Sequence, residues 1–163
     1  MTVQLLPNSE QVAVAWLSSI GGLQADGVAT QLPDDETKWQ PQGFVTVAVV
    51  GGSPDMYVPV RKPVFQIDAW AVKIGSSKPP WGKAANLCEQ IRMETYDYRP
   101  HGNANRPLGI RAGGQVEYPP VRVMGAWLLT EPHRIYEDRG DFARYMLTLQ
   151  LHWTTIQAVT VNG

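Results

Sequence analysis

The chain has 163 residues, of which 44% are hydrophobic and 18% charged, and its 15 Gly and 13 Pro indicate a globular domain with many turns. Its 14 Lys and Arg against 15 Asp and Glu give a net charge of −1, which excludes a mean field that grips nucleic acid or an anionic membrane regardless of sequence. Cys88 is the only cysteine, so an intrachain disulfide is excluded and a reducing compartment is the natural setting.

A chain of this length buries roughly 70% of the surface that its unfolded form exposes, so one core and a single domain over 1–163 are expected. Extended termini are expected at 1–8 and 156–163. No basic segment leading into an apolar run follows Met1. No apolar stretch approaches the roughly 18 residues of a membrane span, so the expectation is a protein soluble where it is made, with no membrane partner.

In chain order, Asn8 or Ser9 caps a predicted helix over 10–20, ended by Gly21-Gly22. Val12, Ala15, Trp16 and Ser19 share one face, whereas Val14 and Leu17 lie off that stripe, so a second chain is a candidate for the extra apolar contact. Residues 23–42 are irregular, with a short strand near 28–32. The acidic cluster Asp34, Asp35 and Glu36 reads as a solvated turn, because a cation needs ligands that converge. A strand over 44–50 is predicted to close at Gly51-Gly52-Ser53-Pro54, followed by a short strand over 56–61.

The stretch from Pro63 to Val72 alternates with period two and reads as the central strand. After Pro79-Pro80, Ala84, Leu87, Cys88, Ile91 and Thr95 recur at helical spacing and predict a helix over 82–98. Residues 99–120 read as a long loop carrying Arg99, His101, Arg106 and Arg111. Loops of that length are usually functional or disordered, and an inter-subunit or partner-ordered role fits better than nucleic-acid contact, since only Tyr98 and Tyr118 offer stacking nearby. A strand over 121–130, a polar turn around Gly140 and a long final strand over 142–155 complete the pattern.

Chemistry is not signalled. His101, His133 and His152 are dispersed, with no metal-ligand spacing and no nucleophile elbow, phosphate-binding loop or dinucleotide fingerprint. His152 with Asp68 is open to two readings, an acid–base couple or, more simply, a cross-strand hydrogen bond that holds the sheet. No catalytic residue, cofactor or metal is expected.

The order of a short N-terminal helix, a strand, a Gly-rich turn, the phrase from Pro63 to Ala71, the helix carrying Ala84-Ala85-Asn86-Leu87-Cys88 and the closing strand with Asp141-Phe142-Ala143-Arg144-Tyr145 resembles the tail terminator, or tail completion, proteins of long-tailed bacteriophages. The resemblance runs over about 10–155. It implies an α+β protomer with two helices on a mixed, largely antiparallel sheet. It further implies a hexameric ring that caps the tail tube, ends tube polymerisation and joins the tail to a head-closure or neck protein while genomic DNA passes through its lumen. The virion tail would be its final location, after assembly in the host cytoplasm. Val14, Leu17, Arg99, His101, Arg106 and Arg111 are the expected interface residues, with the first helix and the sheet edges as contact surfaces. Another neck or tube component, or a small enzyme or ligand-binding domain with a deep pocket, is the alternative.

Overall fold

The computed structural model describes residues 5–96, 104–110 and 118–156. A curled mixed sheet carries the fold. Its strands are β1 (Val28–Ala29), β2 (Phe44–Pro54), β3 (Arg61–Val72), β4 (Arg106–Leu108), β5 (Val121–Leu128), β6 (His133–Ile135) and β7 (Phe142–Thr155). Their order is β1-β2-β3-β7-β5-β4, with β6 also on β7. β1 lies parallel to β2, and every other pairing is antiparallel. The α+β class, the mixed sheet and the central place of β3 are as expected.

Helices α1 (Ser9–Ser18) and α3 (Trp81–Glu94) pack on one face of the sheet, and α2 (Glu36–Trp39) is a single turn. Asn8 caps α1: its side chain accepts from the Gln11 amide at 2.9 Å while the Gln11 side chain accepts from the Asn8 amide at 2.9 Å. On α3 the buried residues are Ala84, Leu87, Cys88 and Ile91, the stripe that the helical spacing marks out. Leu87, Cys88 and Ile91 join Phe65 and Ile67 of β3 and Leu147, Leu149 and Leu151 of β7 in the main core, while Ala84 packs with Ala71 and Ala143 in a small cluster of its own. Burying each of the leucine, isoleucine and phenylalanine side chains here is worth roughly 1.5–3 kcal/mol. A smaller cluster of Trp39, Phe44, Val72 and Phe142 packs beneath the 30–43 segment, and the alternation along β3 puts it on the other sheet face.

Three expectations change. The Gly-Gly-Ser-Pro stretch is part of strand β2, not its end, and stays paired with β3 as far as Pro54↔Arg61. A bulge at Val50 absorbs one residue. At Gly52, where φ is +90°, a Cβ would lie 2.2 Å from the Lys62 carbonyl oxygen, so glycine serves close backbone approach within the hairpin. Second, the predicted strand at 56–61 is mostly the hairpin turn. Third, residues 106–108, expected in a loop, form β4 against β5.

The acidic cluster does make a turn, but it also starts a helix: Asp35 caps α2 by accepting from Thr37, and Glu36 receives Arg139 at 2.6 Å.

Asp55 holds the hairpin turn. Its Oδ1 accepts from the amides of Tyr57 at 2.8 Å and Val58 at 3.1 Å, and these bonds hold the carboxyl below its ordinary value. A depressed carboxylate pKa stabilises the fold above the unfolded value of about 3.9, and that contribution is lost as pH falls through the folded value. Amide-exchange protection at Tyr57 and Val58 is therefore expected to fall below about pH 4, and Asp55→Ala to remove it at neutral pH. Protection that is flat from pH 6 to 3 would contradict this role.

Candidate assembly surface

The flank of α1 is the first surface. Val12, Ala13, Trp16, Leu17 and Ile20 are all buried, so the stripe facing the core differs from the one drawn through Ala15 and Ser19, and Ser19 is exposed. Leu17 is 0% exposed and belongs to the protomer's own core. Its apolar side is met within the chain, because Ala104, Leu108 and Ile110 join the same cluster. Val14 is half-buried and reaches a cleft of about 870 Å³, whose walls also include Ala15, Val28, Leu108 and Ile110. Glu10 is the one ionisable side chain lining that cleft among the described residues, and Asn8 and Gln11 are held in the helix cap. Among the described residues, the cleft thus offers an apolar wall with a polar rim.

Arg106 is drawn inward. Its guanidinium pairs with Glu94 at 2.5 Å, donates to Ser19 Oγ at 2.8 Å and lies 5.5 Å from the Trp16 ring centre. It thereby ties the ends of α1 and α3 to β4. Arg99, His101 and Arg111 lie outside the described residues.

The second surface is the sheet face opposite α1 and α3. Asp68, 8% exposed, receives Arg144 Nε at 2.8 Å and Gln66 Nε2 at 3.0 Å. Arg144 also donates to Glu137 at 2.7 Å and sits 4.9 Å from the Trp70 ring centre. Burial disfavours its charge, but the hydrogen bonds that it donates to Asp68 and Glu137 outweigh burial and hold its pKa above the ordinary value. Asp68 is opposite Met146, six residues from His152 along β7, or about 20 Å at strand spacing. The Asp68–His152 pairing weighed from sequence is thus absent. His152 packs instead on Trp127, with ring centres 4.3 Å apart, and burial followed by the nearby Lys62 lowers its pKa.

Among solved structures, the chain is similar to one from the "virion of native gene transfer agent (GTA) particle", at a TM-score of 0.51 and 15% identity over 88% of this chain and 93% of that one. The two chains share a fold. No family model matches the sequence, and no curated protein matches it.

The third surface carries side chains that sequence reasoning placed in a strand. Met56 and Tyr57 in the β2–β3 turn are 87% and 90% exposed, and Val49, Val50 and Val58 nearby are also exposed. Asp55 before the turn and Pro59 within it were the legible signals for a chain reversal here. Among the described residues, no three His, Cys, Asp or Glu side chains gather to hold a metal, and no helix is long and apolar enough to cross a membrane.

Proposed function

We propose that this chain is a structural virion protein of the tail terminator type, which forms a ring, six-membered in this reading, on the last ring of the tail tube. The ring ends tube growth and presents its other side to a head-closure or neck protein. The observation that carries this reading is the fold shared, over nearly the full length of both chains, with a chain from a gene transfer agent virion. A net charge of −1 suits a bore through which DNA slides, since each added phosphate contact would strengthen retention. In this reading the protein is assembled in the host cytoplasm and ends at the head-proximal end of the tail. Its work is done by surfaces and no molecule is transformed.

The test adds purified chain, in substoichiometric amount, to tube protein that is polymerising. Shorter tubes with an extra ring at one end, seen by negative-stain electron microscopy, are expected. Unchanged tube length with bare ends would overturn the reading. Open tubes formed by this chain alone would assign it as a tube subunit instead.

A further inference from the structure

We propose that copies of this chain join head to tail through a lysine key, with Lys78 of one copy entering the cleft between residues 32–36 and 137–142 of the next. This deepens the ring reading and rests on it. The cleft measures about 250 Å³, with Leu32, Trp70 and Phe142 as an apolar floor and Asp34, Glu36 and Glu137 around it. That is below the roughly 300–1,000 Å³ of small-molecule sites and suits a single side chain. Its charge is unbalanced. Arg139 is shared between Glu36 at 2.6 Å and Asp141 at 3.5 Å, and Arg144 between Asp68 at 2.8 Å and Glu137 at 2.7 Å. Asp34 and Asp138 are exposed and meet no cation among the described residues, so six carboxylates share two guanidinium groups. An apolar floor for a methylene stem and carboxylates for its ammonium are what a lysine side chain requires.

The same chain presents the complement. No Asp or Glu occurs between Asp68 and Glu89, and that stretch holds Lys73, Lys78 and Lys83, all exposed and none in an ion pair with a described residue. Lys83 spends its ammonium on the carbonyls of Gln40 and Pro41, at 3.3 and 3.1 Å. Lys73 lies at the seam with β7, its amide donating to the Asp141 carbonyl at 3.1 Å. Lys78 stands on a turn that is already built. The Ser76 hydroxyl accepts from the Lys78 amide at 3.1 Å and donates to its carbonyl at 3.3 Å, and Pro79-Pro80 follows. Little backbone ordering is therefore left for binding to impose.

Placement makes the contact head-to-tail. Trp81, just beyond the turn, packs with Ala71, Ala143 and Tyr145 on the helix side of the sheet, whereas Trp70 and Phe142 belong to the opposite side. Key and cleft thus face opposite ways at one end of the sheet, every copy uses both, and a ring closes when the rotation divides the circle. The stretches outside the described residues attach far from either. Those before 5, at 111–117 and after 156 attach near Trp153, as the Ser9–Trp153 and Gln11–Tyr118 hydrogen bonds and the Val121↔Thr155 pairing show, about 35 Å along β7 from Phe142. The fourth starts after Tyr96, with the 14 residues of α3, about 20 Å, between it and the turn. A free end of seven residues spans at most about 25 Å, and seven residues tied at both ends reach out about 14 Å.

Charge exchange tests the contact. Lys78→Glu and Asp34→Lys, each checked for an unchanged melting temperature, are each expected to weaken assembly at least about tenfold in low-salt sedimentation, alone or with tube protein, because like charges would meet. An equimolar mixture of the two should assemble again. In alternation every contact joins either the native pair or the exchanged one, which a ring of even number allows. Single variants that assemble like the native chain, or a mixture no better than either alone, would overturn the proposal. Loss of double-stranded DNA binding in Lys78→Glu with assembly intact would also overturn it, by assigning the lysine to nucleic acid. Tubes capped normally by Lys78→Glu refute the key alone. Restored rings that leave tube length unchanged refute the terminator reading alone, and a chain that stays monomeric, alone and with tube protein, refutes both.

Discussion

Trp153→Ala is expected to destabilise the protein by about 3–5 kcal/mol, the range for deleting a buried aromatic side chain when the cavity does not fully collapse. Trp153 is 1% exposed near the end of β7, and its indole donates to Ser9 Oγ at 3.2 Å across the sheet–helix junction. The Arg61 guanidinium lies 5.2 Å from its ring centre, so one side chain links β7, the first turn of α1 and the start of β3. Against a typical total stability of about 5–15 kcal/mol, such a loss leaves a large unfolded fraction. Urea unfolding should show the midpoint falling at an unchanged m-value. Trp153→Phe keeps most of the apolar volume but loses the N–H bond to Ser9, so about 1–2 kcal/mol is expected. Equal losses for the two variants would show that the hydrogen bond, not packing, anchors this corner.

What the sequence made legible follows from how many residues repeat a pattern. Along β7, Leu147, Leu149, Leu151 and Trp153 alternate long enough to fix both faces, and on α3 four buried positions share one helical stripe. β4 and α2 are only three and four residues long, too short for any period to emerge. The Gly-Gly-Ser-Pro stretch misled because glycine has two uses. Gly52 reads locally as a turn, yet the structure needs it so that β2 can pass close to the Lys62 carbonyl.

The candidate surfaces divide on the same physical line. Leu17 and Val14 are equivalent in sequence, both apolar and both off the drawn stripe. Leu17 nonetheless lies in the main core, whereas Val14 stands at the cleft wall beside Leu108 and Ile110, residues more than ninety positions away that no local pattern connects to α1. Likewise, Arg106 looks like an open cation in a polar loop until Glu94 and Ser19 meet it in three dimensions.

Asp68→Leu is expected to cost about 2–4 kcal/mol, because it leaves Arg144 in a partly buried site without its main partner; fully buried broken pairs cost about 3–5 kcal/mol. The discount follows from exposure, 11% for the Asp68 side chain and 21% for Arg144. Arg144 keeps Glu137, but that carboxylate is 31% exposed and is screened by water. Replacing both members, as in Asp68→Leu with Arg144→Met, removes the uncompensated charge and is expected to return stability to within about 1 kcal/mol of the native chain. The pair is then a device of the fold, and a double-mutant cycle should give a coupling of about 2 kcal/mol or more. Additive losses would show that the two groups are energetically independent despite their 2.8 Å contact. The same double variant also separates scaffold from chemistry. If the ion pair only braces β3 against β7, the double variant should still assemble and shorten growing tubes. If its charges act on another molecule, restored stability would come without restored function.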